Sequence, residues 1–107
     1  MESSIKLTAY DYEQIAEAVA DKIFDSSFFS GTIRTDIDGM DTELVATLVI
    51  YRHKPQEDDF GHRQLIGDIY DIVPVWWEFN TYDEVGNQVP NDFQFSSLRP
   101  EVLKAVA

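Results

Sequence analysis

A chain of 107 residues, 44% of them hydrophobic and 13% aromatic, is long enough for one domain with a buried core. Its 20 acidic residues against 8 basic ones give a net charge of −12, which disfavours direct contact with nucleic acid or an anionic membrane and favours a basic partner. The absence of cysteine excludes disulfides, thiolate nucleophiles and cysteine-ligated metals.

The acidity is evenly spread. Residues 1–30, 31–62 and 63–107 each carry a net −4, so there is no acidic tail, and residues 1–107 read as a single acidic domain. The segment Met1–Leu7 has neither the apolar run nor the basic region of a signal peptide. The longest apolar stretch, Ile72–Trp77, is interrupted by Pro74 and is far too short to span a bilayer. A cytoplasmic protein is the expectation.

In chain order, Thr8 followed by Asp11 resembles a helix-capping box, with Asp where Glu or Gln is usual. Tyr12, Ile15, Ala16, Val19, Ala20 and Ile23 then share one face at helical spacing, predicting an amphipathic helix from Tyr10 to Asp25. Ser30-Gly31 reads as a turn. Ile33, Thr35 and Ile37 alternate with Thr32, Arg34 and Asp36 as a strand with one wet face, and Asp38-Gly39 is a hairpin signal. Thr42–Arg52 is apolar on both faces, the pattern of a central strand covered twice.

His53–Gly61 reads as a polar, acidic loop. A strand follows over Gln64–Val73, Pro74 interrupts its ladder, and Val75–Thr81 resumes as a strand. Asp83–Asn87 reverses the chain, Gln88-Val89 forms a short edge pairing, and Asn91–Phe95 is a loop. Leu98–Val106 reads as a short helix with Ser97 as cap and Pro100 in its first turn. Short connections imply antiparallel neighbours. The predicted fold is α+β: an N-terminal helix across a three- to four-stranded antiparallel sheet, with a short C-terminal helix.

The leading candidate site is the row Glu13, Glu17, Asp21 and Asp25. Successive members lie about 6 Å apart on a helix, close to the spacing of phosphates along a nucleic-acid strand. Like charges at this spacing repel by roughly 0.2–0.5 kcal/mol per pair, and Asp21 and Asp25 fall at the helix end where the dipole disfavours them. A solvated helix face explains the same residues without a ligand.

The second candidate is Trp76-Trp77 with Tyr51, Tyr70 and Tyr82. Adjacent strand residues face opposite ways, so one Trp enters the core and the other is free to anchor an interface. The double-sided apolarity of Leu44–Tyr51 also requires a cover for the second sheet face. Either the rest of the chain or a partner, including a second copy, can supply it.

Weaker groupings are the carboxylates Asp36, Asp38, Asp41 and Glu43 around a turn, and Glu57, Asp58, Asp59 and His62 in the loop. The first does not match an EF-hand, the second offers few histidines for a metal, and tight-turn and mobile-loop readings explain both. Asp59-Phe60-Gly61 echoes a kinase fragment without its companion motifs. Asp68, Asp71 and Glu78 are carboxylates of a strand region, with Asp68 and Asp71 on opposite faces. No cofactor, metal or catalytic constellation is expected. The function expected is non-enzymatic binding of a basic protein surface, in its sharpest form as a nucleic-acid mimic inhibiting a nucleic-acid-binding protein. The alternative is an assembly module that self-associates or joins a complex through its apolar sheet face.

Overall fold

A computed structural model describes residues 4–53 and 68–107. The elements run α1 (Ala9–Ile23), β1 (Phe28–Ile37), β2 (Met40–Arg52), β3 (Ile69–Tyr82), β4 (Gln88–Val89) and α2 (Phe95–Ala105). The strands form one antiparallel sheet in the order β1-β2-β3-β4. This is the predicted α+β architecture. No helix among the described residues is long and apolar enough to cross a membrane.

Thr8 and Asp11 form the predicted capping box. The Thr8 hydroxyl accepts from the Asp11 amide at 3.1 Å, and the Asp11 carboxylate accepts from the Thr8 amide at 2.9 Å. Tyr12, Ile15, Ala16, Val19 and Ile23 are buried. The helix ends at Ile23 rather than Asp25, because Arg52 takes its C-terminal carbonyls: the guanidinium donates to Ile23 O and Phe24 O at 2.7 Å and to Ser26 O at 2.8 Å. A cation there satisfies orphan acceptors and meets the negative end of the helix dipole.

Three boundaries differ from the sequence reading. Ser30-Gly31 is not a turn but lies inside β1, which starts at Phe28; Gly31 pairs with Ala46, and the Phe29 ring packs over the space its missing side chain leaves. The ladder is interrupted at Pro74 as expected, but by a bulge inside the single strand β3 rather than by a gap between two strands. Thr47 pairs with Trp76 and Leu48 with Pro74, so Val75 is an extra, bulged residue, and a bulge tolerates the missing amide hydrogen. Helix α2 begins at Phe95, and Ser97 lies inside it rather than capping it. Gln94, the N-cap, makes no side-chain cap bond. Burial of Phe95 and Leu98, and a bond from the Gln94 amide to the Tyr12 hydroxyl at 3.0 Å, hold this first turn instead. The loop and strand expected over residues 54–67 lie outside the described residues.

Both helices pack on the same side of the sheet. Ile15, Ala16, Val19 and Ile23 of α1 and Leu98 and Val102 of α2 join Ile33, Leu44, Ala46, Leu48, Ile50, Ile72 and Phe79 in one core. Phe93 stacks on Phe79 with ring centroids 4.2 Å apart. The N-terminal segment is tied in by a bridge between Ile5 and Asn91.

Arg52→Ala is expected to lower stability by about 2–3 kcal/mol in urea unfolding, since three charge-assisted bonds to backbone carbonyls are lost. Arg52→Lys should recover only part of this, because an ammonium lacks the planar fork.

Candidate functional site

Antiparallel pairing fixes what each row of the second sheet face presents. From the hairpin end these rows are Asp36–Asp41–Tyr82, Arg34–Glu43–Asn80, Thr32–Val45–Glu78, Ser30–Thr47–Trp76 and Phe28–Val49–Val73, followed by the pair Tyr51–Asp71. Among the described residues no helix packs on this face. The double-sided apolarity of β2 thus has a cover on one side, and the second side carries the candidate site.

The two ends of the face differ in chemistry. At the hairpin end, Glu43 accepts from the Tyr82 hydroxyl at 3.0 Å and from Asn80 Nδ2 at 3.3 Å, and pairs with Arg34 at 3.4 Å. Asn80 also donates to Glu78 at 3.3 Å and accepts from Gln88 at 2.9 Å. This end is a polar network closed on itself. The bond to Glu43, burial and the charges of Glu43 and Glu78 together hold the Tyr82 pKa above its usual 10.0, against a smaller opposing effect of Arg34.

At the other end Phe28 is 59% exposed, Trp76 52%, Val75 66% and Tyr51 43%, with Val73 exposed and Val45 and Val49 half-buried among them. The polar content between them is the Ser30–Thr47 hydroxyl pair at 3.0 Å. The stretches 26–35, 44–56 and 72–77 contain no acidic residue in a chain that has 20. An aromatic and aliphatic patch, bordered by Asp71 in its pairing with Arg99 and by Glu78 in the polar network, is the feature that sets this surface apart on a molecule of net charge −12.

The sequence-predicted aromatics separate as strand parity requires. Trp76 stands on the open face, while Trp77, opposite Ala46, turns to the helix side and meets Phe93 edge-on at 5.2 Å and Phe95 at 6.4 Å. Tyr70 sits at a register shift and packs against Tyr51 at 6.1 Å and His53 at 4.7 Å, extending the patch beyond the last paired row. Phe28, Val73 and Val75 escaped the sequence reading. Continuing the alternation of β1 back through Thr32 and Ser30 to Phe28 would have found the first.

The acidic row divides. Glu13, Glu17 and Asp21 are exposed on α1 and make no hydrogen bond or ion pair among the described residues, whereas Asp25 lies beyond the C-cap and is bonded by the Ser26 hydroxyl. Glu13 and Glu17 line a groove against Glu101, Lys104 and Ala105 of α2. The turn carboxylates do not converge: Asp36 accepts from the Gly39 amide at 3.0 Å, and Glu43 belongs to the polar network. Among the described residues no three potential metal ligands gather. Asp71 is engaged by Arg99 at 2.8 Å, and Glu78 is seven residues further along the strand, roughly 23 Å away. Glu57, Asp58, Asp59 and His62 lie outside the described residues.

No family model matches the chain, and neither does any curated protein or solved structure.

Because the fold favours the protonated Tyr82, its contribution to stability is complete below pH 10 and is lost as pH rises through the elevated pKa. Ultraviolet titration of tyrosinate should show a component above the usual value that Tyr82→Phe removes.

Proposed function

We propose that this chain is a non-enzymatic protein-binding module whose contact surface is the apolar end of the open sheet face. The observation that supports this is the coincidence of two patterns. Large apolar side chains are exposed together at Phe28, Tyr51, Val73, Val75 and Trp76, the stretches of sequence that carry them hold no acidic residue, and Asp71 beside Tyr51 is taken up by Arg99. Solubility alone would favour charge on an uncovered sheet face. The half-exposed aromatics and valines offer roughly 500 Å² to a partner, so a pair of such surfaces reaches the ~1,000 Å² that a specific interface requires. Trp and Tyr are also the residues that most often dominate binding energy.

A second reading is favoured by Glu13, Glu17 and Asp21, whose exposed carboxylates have no partner among the described residues. In that reading the row engages a basic protein surface as a phosphate backbone does, and the chain acts as a nucleic-acid mimic.

Salt separates the two. A partner retained from nuclease-treated lysate through the open face should stay bound in high salt, lose at least about tenfold in affinity with Trp76→Ser or Phe28→Ser, and be indifferent to Glu13→Lys/Glu17→Lys. Elution at moderate salt, with sensitivity to the charge reversals and none to Trp76→Ser, would transfer the function to the helix. Circular dichroism should be unchanged in every variant, since all four side chains are exposed.

A further inference from the structure

The outer edge of β1 carries a second signal, independent of the open face. The Ile50 amide donates to Ser27 O at 2.9 Å, which makes Ser27 and Ile50 a hydrogen-bonded pair of the β1–β2 ladder. Such pairs alternate with non-bonded ones. Residues 29, 31, 33, 35 and 37 therefore bond to β2, while the amides and carbonyls of Phe28, Ser30, Thr32, Arg34 and Asp36 point outward. Among the described residues no strand accepts them.

The opposite edge of the sheet is protected. Along β3, outside its short pairing with β4, stand Pro74, the bulged Val75, and Asp71 held by Arg99 of α2. Each is a device that blocks strand addition. Strand β1 has neither Pro nor bulge: ten residues, no Lys, no register shift against β2, and one charge of each sign, Arg34 paired with Glu43 of the neighbouring strand. A long, regular edge without protection is a pairing surface.

We infer that its occupant is β1 of a second copy, joined antiparallel about a two-fold axis through Thr32. In that register Thr32 faces Thr32, Ser30 faces Arg34 and Phe28 faces Asp36. All five outward residues of each copy then pair, giving about ten hydrogen bonds, as many as a typical specific interface carries. Shifting the axis to residue 31 or 33 leaves one outward residue of each copy unpaired. Centring it on Arg34 or Asp36 sets like charges face to face.

Charge selects this meeting as well. Two molecules of −12 repel wherever acids face acids, and β1 is free of carboxylates from Phe28 to Thr35. The flank of α1 that looks toward this edge agrees. Glu13, Glu17 and Asp21 line the grooves on the α2 side, and at 100° per residue the other flank presents Gln14, Ala18 and Lys22. Of the carboxylates on that side, Asp11 is buried and bonded to the Thr8 amide, and Asp25, past the helix end, is bonded by the Ser26 hydroxyl. The joined molecule is a continuous eight-stranded sheet with four helices on one side.

Sedimentation over a concentration series should show twice the 12.3 kDa chain mass, falling to the single mass with Thr32→Pro and with Thr32→Lys. Neither change removes a bond among the described residues, and each should raise the dissociation constant at least about tenfold. In the unsubstituted protein the Ser30, Thr32 and Arg34 amides should exchange slowly with deuterium when concentrated and quickly when dilute. A single-chain mass throughout, or fast exchange of these three amides at every concentration, would overturn the pairing. So would a dimer that tolerates both Thr32 variants and is lost with Trp76→Ser, which would place the second copy on the open face.

Discussion

The guanidinium of Arg52 sits at the point on which the geometry of the domain turns. It stands at the end of β2 and holds the carbonyls of Ile23, Phe24 and Ser26, so one side chain ends α1 and fixes the short connection into β1. The next backbone group, Ser27 O, receives the Ile50 amide and sets the register of the β1–β2 ladder. Once that register is set, strand parity has no freedom left. Ile33 and Leu44 must face α1, and Phe28, Val49 and Trp76 must face away from it. A shift by one residue would send the apolar end of the open face into the core and Ile33 and Leu44 into water.

The same tether explains why both helices share one side. A connection as short as Phe24–Ser27 folds α1 back over the strand it precedes, and α2 is drawn beside it by the Tyr12–Gln94 bond and the Ile5–Asn91 bridge. Both described helices lie on one face of a sheet whose central strand is apolar on both. What is left is a surface with the composition of an interior, bounded at one end by the Glu43 network and at the other by the Tyr51–Tyr70 pair.

How much of this the sequence disclosed depended on whether the signal was local. Helix α1 was legible because cap, period and apolar face agree within fifteen residues. The split of Trp76 from Trp77 followed from strand parity alone. The errors arose where a distant contact overrides a local preference. Ser30-Gly31 resembles a turn, yet pairing with β2 keeps it extended. Pro74 marks an interruption that separates two strand segments along the chain, yet the bulge at Val75 joins them into one strand. The capping of α1 by Arg52 links residues almost thirty positions apart and left no mark that a scan along the chain could detect. The candidate site shows the same division. Trp76 and Tyr51 were identifiable from residue type, whereas Phe28 joins them only through its pairing with Val49.

The acidity takes on a different meaning beside the open face and the bare edge. Charge spread evenly over a surface keeps molecules apart without choosing an orientation. Here the distribution along the chain is even, but folding gathers the acid-free stretches 28–35, 44–52 and 72–77 into adjacent strands. Repulsion then penalises approach from most directions and spares the side where β1, β2 and β3 lie exposed. Specificity is a difference between affinities, and it grows as much by raising the cost of wrong contacts as by improving the right one. On this reading the carboxylates of α1 need not touch a partner to serve binding. They restrict where a like-charged neighbour can approach, and the apolar face and the β1 edge supply the attraction where it can.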